Sequence, residues 1–393
     1  MKYDFDTLLE RKGTSSFKWD TGMDYFGRDD VIPMWVADMD FACAPCVVEA
    51  VQKRAAHPIY GYTVRQQSYY DSVMGWLKRR YGFSVSQEYL CFSPPGVIYA
   101  INIVVRILTE PGDTVLIPTP NYDSLFDLVT RNGRILAESP MRWENGRYVL
   151  DYEDLERKAE RAKALIFSSP HNPTGRVWTR EELERLTEIC MRHDVFMLFD
   201  EIHCDFILKE NPHTTIGLLG EEVLRHSMVC YSASKGFNLG GLGMATIVLA
   251  DDDLRQRFKE ELSIAQTRLD NVFGAAALMA AYTPEGEAWL DQAIAYVSEN
   301  KRYLADFLKA HIPQIQLCQA EGTYLVWLDC SGLPYRGMAL EHFMINEARV
   351  VLSGGYEFGS LGDSFLRMNL ACPRSVLREA LERMEEAVRK ISV

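Results

Sequence analysis

No stretch of the 393-residue sequence is apolar for long enough to form a membrane helix, which needs about 18 consecutive apolar residues. The first residues are polar and acidic, so they lack the apolar core of a signal peptide. Positive charge is also scarce, since 42 lysines and arginines face 55 aspartates and glutamates and the net charge is −13. A chain this acidic has no broad electrostatic attraction for DNA or RNA. We therefore expect a cytoplasmic protein with neither a membrane nor a nucleic-acid partner.

Cysteine is too sparse and too scattered for a disulfide scaffold. The nine cysteines are an odd number and most lie in apolar stretches, as reduced buried thiols do. Cys43 and Cys46 form a CxxC pair, but neither a second pair nor a histidine pair follows at zinc spacing. We therefore predict no metal site and a reducing compartment.

The composition is that of a globular protein, with 47% hydrophobic and 25% charged residues. Short apolar runs alternate with amphipathic segments in the middle of the chain, which predicts a mainly parallel sheet covered by helices. The predicted strands are 89–93, 114–118, 164–168, 195–200, 228–232 and 245–249. The predicted helices among them are 97–109, 122–131 and 179–192.

The pattern changes after about residue 285. Long helices are predicted at 289–308 and 375–390, beside strands at 324–328 and 365–370. We therefore predict an α/β fold in three parts. These are an N-terminal arm over 1–45 that packs on the small domain, a large domain over 46–285 and a small α+β domain over 286–393.

Three polar segments directly follow predicted strands, at the sheet edge where ligands bind in open α/β folds. Two prolines and a glycine fix the loop that presents the Asn172 amide. Asp200 ends an apolar strand, where a carboxylate is costly to ionise unless a cation faces it. Lys235 lies in a Ser/Gly-rich loop, where partial desolvation makes a lysine a neutral nucleophile able to form a Schiff base. Each segment alone has a plain alternative, namely a turn, a structural salt bridge and a solvated lysine.

Together the three segments resemble the signature of fold-type I enzymes that use pyridoxal 5′-phosphate (PLP). Asn172 and Asp200 are 28 residues apart, and Asp200 and Lys235 are 35 apart. The resemblance implies a large domain with a mainly parallel seven-stranded sheet. It also implies that Lys235 joins PLP as a Schiff base, that Asp200 pairs with the pyridine nitrogen, and that Asn172 and His203 contact the phenolic oxygen O3′.

The phosphate of PLP has candidate partners in two places. Gly96, Val97 and Ile98 begin a predicted helix whose free N–H groups suit a phosphate. Ser232 and Ser234 flank the loop lysine, and the family resemblance assigns their hydroxyls to the same group.

Three further residues match the family. Tyr122 stands where an aromatic ring stacks on the pyridine. Tyr62, with Tyr60 as a rival, resembles the tyrosine that reaches the phosphate of the neighbouring subunit, which implies a homodimer with shared active sites. Arg367 lies in an apolar strand, where its planar guanidinium fits a carboxylate or a structural ion pair. The family assigns that position to the α-carboxylate of the substrate.

The stretches 11–20, 33–41 and 322–329 closely resemble the MalY/PatB family of cystathionine β-lyase-like carbon–sulfur lyases. This family is a branch of the class I/II aminotransferase superfamily, and the resemblance covers essentially the whole chain. It implies that the backbone around Ala37, together with Asn172 and Arg367, binds the substrate.

The implied reaction is α,β-elimination of L-cystathionine or a related S-substituted cysteine to pyruvate, ammonia and a thiol. Lys235 would remove the Cα proton as general base, and Tyr122 or Lys235 would protonate the departing sulfur. Three alternatives stay open at this point: an aminotransferase on the same fold, a PLP-binding regulatory protein, and a structural dimer without a cofactor. The sequence does not indicate the distal part of the substrate.

Overall fold

The computed structural model describes residues 2–208 and 210–391, and its secondary structure alternates between strands and helices. The strands are β1 (Ile32–Pro33), β2 (Leu90–Phe92), β3 (Thr114–Thr119), β4 (Ile135–Pro140), β5 (Arg142–Glu144), β6 (Arg147–Val149), β7 (Ala162–Ser168), β8 (Phe196–Asp200), β9 (Ser227–Tyr231), β10 (Thr246–Leu249), β11 (Gln316–Leu317), β12 (Leu325–Asp329), β13 (Val350–Val351), β14 (Ser353–Gly354) and β15 (Phe365–Asn369).

The α-helices are α1 (Phe17–Asp20), α2 (Gly22–Phe26), α3 (Pro45–Ala55), α4 (Gln67–Tyr81), α5 (Val97–Leu108), α6 (Asp123–Arg131), α7 (Tyr152–Ala159), α8 (Arg180–Arg192), α9 (Glu221–Arg225), α10 (Ala233–Gly236), α11 (Asp252–Ile264), α12 (Val272–Ala281), α13 (Pro284–His311), α14 (Gly337–Phe343) and α15 (Arg374–Ile391). The capping box predicted at Thr179 and Glu182 forms and begins α8.

A seven-stranded sheet in the order β2-β10-β9-β8-β7-β3-β4 organises the large part of the chain. The strands from β9 to β4 are parallel, and β10 is antiparallel to both β9 and β2. This confirms the predicted fold class. The central strands are buried along their length, as continuous apolar runs between two helical layers require.

Six of the seven strands lie within two residues of their predicted ranges. The exception is β4, for which no strand was predicted. It lies at the sheet edge and is half exposed, so its sequence lacks the continuous apolar run of a strand buried on both faces.

The C-terminal part holds a second, antiparallel sheet in the order β11-β12-β15-β14. Helices α13 and α15 contact each other, and α13 also contacts β11. The arm strand β1 pairs in parallel with β13 of this part, where Ile32 lies opposite Val350. The division of the chain at residues 45 and 285 stays a prediction.

The fold brings the polar segments of the sequence to one edge. Strands β7, β8 and β9 are adjacent and parallel, so the loops that follow them leave the sheet on the same side. Within the described ranges, no helix combines the length and apolarity that crossing a bilayer requires. The carboxyl edge of the sheet is therefore the place to look for chemistry.

Candidate active site

A single pocket of about 550 Å³ opens at the carboxyl edge of the large sheet and gathers most of the predicted site residues. Those that line it are Ala37, Gly96, Val97, Ile98, Tyr122, Asn172, Asp200, His203, Ser234, Lys235 and Arg367. Residues from the arm, the large sheet and the second sheet thus meet in one cavity, although they are up to 330 positions apart in the sequence.

Lys235 presents its amine to this pocket from the short helix α10, directly after β9. Its Nζ donates a hydrogen bond to the backbone oxygen of Ala37 at 2.9 Å. Burial, and secondly the positive charge of Arg367, lower the pKa of the Lys235 ammonium to about 8. About a tenth of this amine is therefore unprotonated at pH 7, far more than for an ordinary lysine, and the unprotonated form is the one that acts as a nucleophile or base.

Asp200 ends β8 and faces the same pocket with 7% of its surface exposed. Its Oδ1 accepts a hydrogen bond from the backbone N–H of Ile202 at 3.1 Å. Burial raises the pKa of the carboxyl to about 6, although the hydrogen bond from Ile202 and the charge of Lys235 both lower it. Among the described residues no cation lies within 4.0 Å of it, so the plain salt-bridge alternative does not apply. The carboxylate is suited to a cationic partner that enters from outside the chain.

Arg367, on β15, lies at another wall of the pocket and is 6% exposed. Its Nη1 donates to Asn172 Oδ1 at 3.1 Å, and its Nη2 donates to Trp35 O at 2.7 Å and Ser353 Oγ at 3.0 Å. Within the described part of the chain, its Nε has no hydrogen-bond partner and no carboxylate pairs with the guanidinium. A buried arginine held only by neutral acceptors suits an anionic ligand.

The Asn172 side chain is oriented by that same arginine. Because its Oδ1 accepts from Arg367, its amide nitrogen stays available as the donor group. His203 is 4% exposed, and burial, then the charges of Lys235 and Arg367, lower its pKa well below the ordinary value. Its ring is therefore neutral, and its Nδ1 has no partner among the described residues.

The backbone segment 35–38, which we call the strap, closes one side of the pocket. Asn369 donates to the carbonyls of Val36 and Asp38, both at 2.6 Å, and the Tyr324 hydroxyl donates to Ala37 O at 3.0 Å. The carbonyl that receives the Lys235 amine is thus fixed by neighbours on the second sheet. These supporting residues were not predicted individually, although Tyr324 lies within a stretch that carried the family resemblance.

The far end of the strap is tied to the arm by a charge network. Lys18 Nζ lies 2.6 Å from Asp40 Oδ2, and both side chains are almost fully buried. Arg11 bridges Asp38 and Asp40, each at 2.6 Å. A buried pair with this many hydrogen bonds specifies one position for the chain.

The residues predicted to bind the phosphate differ in whether they line the pocket. Gly96 precedes α5 with φ +115°, and a Cβ at this position would meet no atom within 4 Å, so the helix N-terminus opens onto free space. Ser234 lines the pocket. Ser232 does not line it: its Oγ caps α10 by accepting from Ser234 N at 3.1 Å and donates to Met244 O at 2.6 Å. Its role as a phosphate ligand stays a prediction.

Tyr122 lines the pocket and directly precedes α6. Tyr62 does not line it and is 95% exposed, so the structure does not bring it to the site of its own chain. Tyr60, the alternative candidate for the same role, makes contacts within its own chain. Its hydroxyl donates to Ala55 O at 2.6 Å and its ring packs on Phe273.

The set of groups in the pocket fits PLP. An amine of lowered pKa suits the aldehyde, a buried carboxylate that no described cation pairs with suits the pyridine nitrogen, and an open helix N-terminus suits the phosphate. Nδ1 of His203 and Nε of Arg367 have no partner within the described ranges, which leaves two further polar atoms for a ligand.

Comparison with known proteins places the chain among PLP enzymes. Residues 29–384 match the model of the family described as aminotransferase class I and II. Cystathionine beta-lyase PatB of Bacillus subtilis (strain 168) is 37% identical over 98% of this chain and 99% of its own length.

Two solved structures extend the comparison. The PLP-bound C-S lyase from Staphylococcus hominis, in complex with L-cycloserine, has a TM-score of 0.91 and 33% identity, and covers 99% of this chain and 98% of its own. A PLP-bound protein from Clostridium difficile 630, named as an aminotransferase, has a TM-score of 0.96 and 37% identity, and covers 98% of this chain and 100% of its own. Proteins with both kinds of name are therefore similar to this chain.

Proposed function

Because the chain belongs to the aminotransferase class I and II family and to its cystathionine β-lyase-like branch, we propose that it is a PLP-dependent carbon–sulfur β-lyase. Its substrates are L-cystathionine or related S-substituted L-cysteines. The reaction consumes one water and yields pyruvate, ammonia and the free thiol. The observation that carries this proposal is the placement of the Lys235 amine, with a pKa of about 8, in one pocket with the cation-free Asp200 carboxylate.

PLP, when bound, supplies the electron sink that lets the Cα–H bond of an amino acid break. Lys235 is the residue that would hold the aldehyde carbon, and Asp200 is the residue that would keep the pyridine nitrogen protonated. The Asn172 amide and the His203 ring are the groups that would contact the phenolic oxygen. Gly96, Val97, Ile98 and Ser234 would hold the phosphate.

We assign the transfer of the Cα proton to Lys235. The free Lys235 amine would take the proton from Cα, and its lowered pKa increases the fraction of the amine that is unprotonated for that task. Loss of the sulfur from Cβ follows, and the sulfur leaves as a thiolate that needs one proton. We propose that Lys235 or Tyr122, both in the pocket, returns it.

Arg367 fixes the substrate so that these steps take place at Cα. Its guanidinium would bind the α-carboxylate, with the strap carbonyl of Trp35 and the Ser353 hydroxyl holding the guanidinium in place. Two-point binding by a buried arginine orients the Cα–H bond toward Lys235, which lowers the entropic part of the barrier.

We further propose that the enzyme is a homodimer and that Tyr62 of each chain reaches the phosphate in the other. The support is a solvent-exposed apolar segment that a partner would cover: Ile59, Tyr60, Tyr62 and Val64 are 59–95% exposed. All nine cysteines are free thiols, which suits a cytoplasmic location.

The test uses the purified holoenzyme with L-cystathionine and no added 2-oxo acid. The proposal predicts continuous release of pyruvate and homocysteine in equal amounts, followed with lactate dehydrogenase and a thiol reagent. The Lys235→Ala variant, checked for folding by circular dichroism, is the control without activity. An aminotransferase would release no pyruvate under these conditions and would require a 2-oxo acid as amino-group acceptor, and that result would refute the lyase.

A further inference from the structure

The backbone carbonyls of the strap all accept hydrogen bonds from side chains. The carbonyl oxygen of Ala37 accepts two of them, one from the Lys235 amine at 2.9 Å and one from the Tyr324 hydroxyl at 3.0 Å. The amine that is proposed to act as the base therefore shares its acceptor with a phenol. The proposed reaction has no task for this phenol.

Tyr324 is fully buried and is not among the residues that line the pocket. Its ring packs edge-on against Phe206, with centroids 5.2 Å apart, and lies 6.0 Å from the ring of His203. Burial, then the charge of Asp38, raise the pKa of its hydroxyl above the ordinary value, so the hydroxyl stays protonated and acts as a donor. An effect of this hydroxyl on the reaction has to pass through the atom that it contacts, which is Ala37 O.

A residue in a rare backbone conformation directly precedes Tyr324. Thr323 has φ +59°, in the left-handed region that β-branched residues seldom adopt. Its backbone N–H donates to Phe206 O at 2.7 Å, and its hydroxyl donates to Leu325 O at 2.9 Å. Such conformations persist where surrounding contacts hold them, and they concentrate at functional sites. These contacts hold the chain in the conformation from which Tyr324 reaches Ala37 O.

Packing alone does not account for the Tyr324 hydroxyl. A phenylalanine would fill the same space and would leave no buried donor to satisfy. The strap also has other ties, since the Asn369 amide holds the carbonyls on both sides of Ala37. The hydroxyl adds a fixed direction for one carbonyl, and this carbonyl is the one that receives the Lys235 amine.

We propose that Tyr324 is a positioning residue for the base Lys235. Its hydroxyl fixes Ala37 O, and this oxygen accepts one N–H of the free amine, so that the lone pair of the amine is left for the Cα proton. A general base has to meet its proton in one orientation, and a small misplacement costs a large part of the rate. The inference rests on the proposed function in one respect, namely that Lys235 removes the Cα proton.

The test uses the holoenzyme in deuterium oxide with L-alanine, which has no leaving group at Cβ. The Cα proton passes to the Lys235 amine, exchanges with solvent and is replaced at Cα by a deuteron, which proton NMR follows as loss of the Cα–H signal. In Tyr324→Phe the exchange rate at saturating alanine should fall roughly tenfold, as for one lost hydrogen bond. The alanine concentration that gives half the maximal rate should change less than about twofold, because Arg367 still binds the carboxylate.

Three controls separate positioning from a general loss of structure. Tyr231→Phe is the matched variant, because Tyr231 is also buried, its hydroxyl pairs with Thr215 and it lies outside the pocket. Its exchange rate should equal that of the wild type. The PLP content and visible absorbance of Tyr324→Phe should also equal those of the wild type, because Lys235 still joins the cofactor. A crystal structure of cofactor-free Tyr324→Phe should show that Lys235 Nζ and Ala37 O have moved beyond hydrogen-bond distance.

An unchanged exchange rate in Tyr324→Phe overturns the inference, and so does an equal fall in Tyr231→Phe. Slowed exchange with the contact between Lys235 Nζ and Ala37 O intact in the crystal structure also overturns it, because the hydroxyl would then act by another route. Elimination and transamination both begin with loss of the Cα proton, so the lyase is tested separately by pyruvate release. A wild type that exchanges the Cα proton of alanine but releases no pyruvate from L-cystathionine refutes the lyase alone, and the exchange rates still decide the inference. A wild type that exchanges nothing overturns the inference, whether or not it releases pyruvate.

Discussion

Replacing Asp200 with asparagine should stabilise the cofactor-free protein while it destroys the activity. The carboxylate is buried and lacks a cation within the described chain, so in the absence of PLP it is held in an unfavourable environment. Asparagine has the same shape and keeps an oxygen for the Ile202 N–H, but it carries no charge to desolvate.

The magnitude follows from the pKa. Folding raises the pKa of the Asp200 carboxyl from 3.8 to about 6, a shift of about two units, and each unit corresponds to about 1.4 kcal/mol. A carboxyl whose pKa is raised by folding costs stability when it is ionised. The cost is absent below about pH 4, where the group is protonated in both states, and complete above about pH 6. We expect Asp200→Asn to gain at most about 3 kcal/mol at pH 7.

The assay is urea unfolding of both apoproteins, prepared by dialysis against hydroxylamine, at several pH values between 4 and 8. The difference in unfolding free energy should be near zero at pH 4 and should grow as pH rises through 6. Addition of PLP should reverse the order of stability of the two proteins, because only the Asp200 carboxylate of the wild type gains a cationic partner. The melting temperature of the wild type should therefore rise more than that of Asp200→Asn when PLP binds. A variant that is less stable than the wild type at pH 8, or a difference independent of pH, would refute the reasoning.

Three further predictions concern the groups around the pocket. Arg367→Lys should lower kcat/KM by roughly 100-fold, mainly through KM, because lysine cannot make the two-point contact; an unchanged KM in steady-state kinetics would refute the carboxylate role. Lys18→Met should cost about 3 kcal/mol in urea unfolding, because it leaves the buried Asp40 with Arg11 as its one cationic partner among the described residues, beside the Trp19 indole N–H; a loss below about 0.5 kcal/mol, typical of a surface residue, would contradict the network. Tyr62→Phe should weaken PLP retention roughly tenfold in equilibrium dialysis without changing the sedimentation coefficient; unaltered retention would remove Tyr62 from the shared site.

The sequence is informative about the site where polar segments follow continuous apolar runs. Asn172, Asp200 and Lys235 could be identified because each lies in such a segment, and the parallel order of β7, β8 and β9 brings these segments together. The same rule predicts six strands of the large sheet. It fails at β4, because an edge strand that is half exposed carries no such run.

The remainder of the site depends on contacts that no local pattern encodes. The strap is held by Asn369, Tyr324 and Ser353, which lie about 290 to 330 residues further along the chain. The carboxylates of Glu341 and Glu357 likewise reach the pocket only after the second sheet has packed against the first. For Ser232, the sequence indicated a hydroxyl but not that α10 would need it as a cap.

The central claim is that the amine of Lys235 holds the cofactor. Reduction of the untreated holoenzyme with borohydride, followed by proteolysis and mass spectrometry of the peptides, tests it directly. We expect the phosphopyridoxyl group on Lys235, and we expect the visible absorbance of the enzyme to disappear on reduction. An unmodified Lys235 peptide, or the group on another lysine, would contradict it.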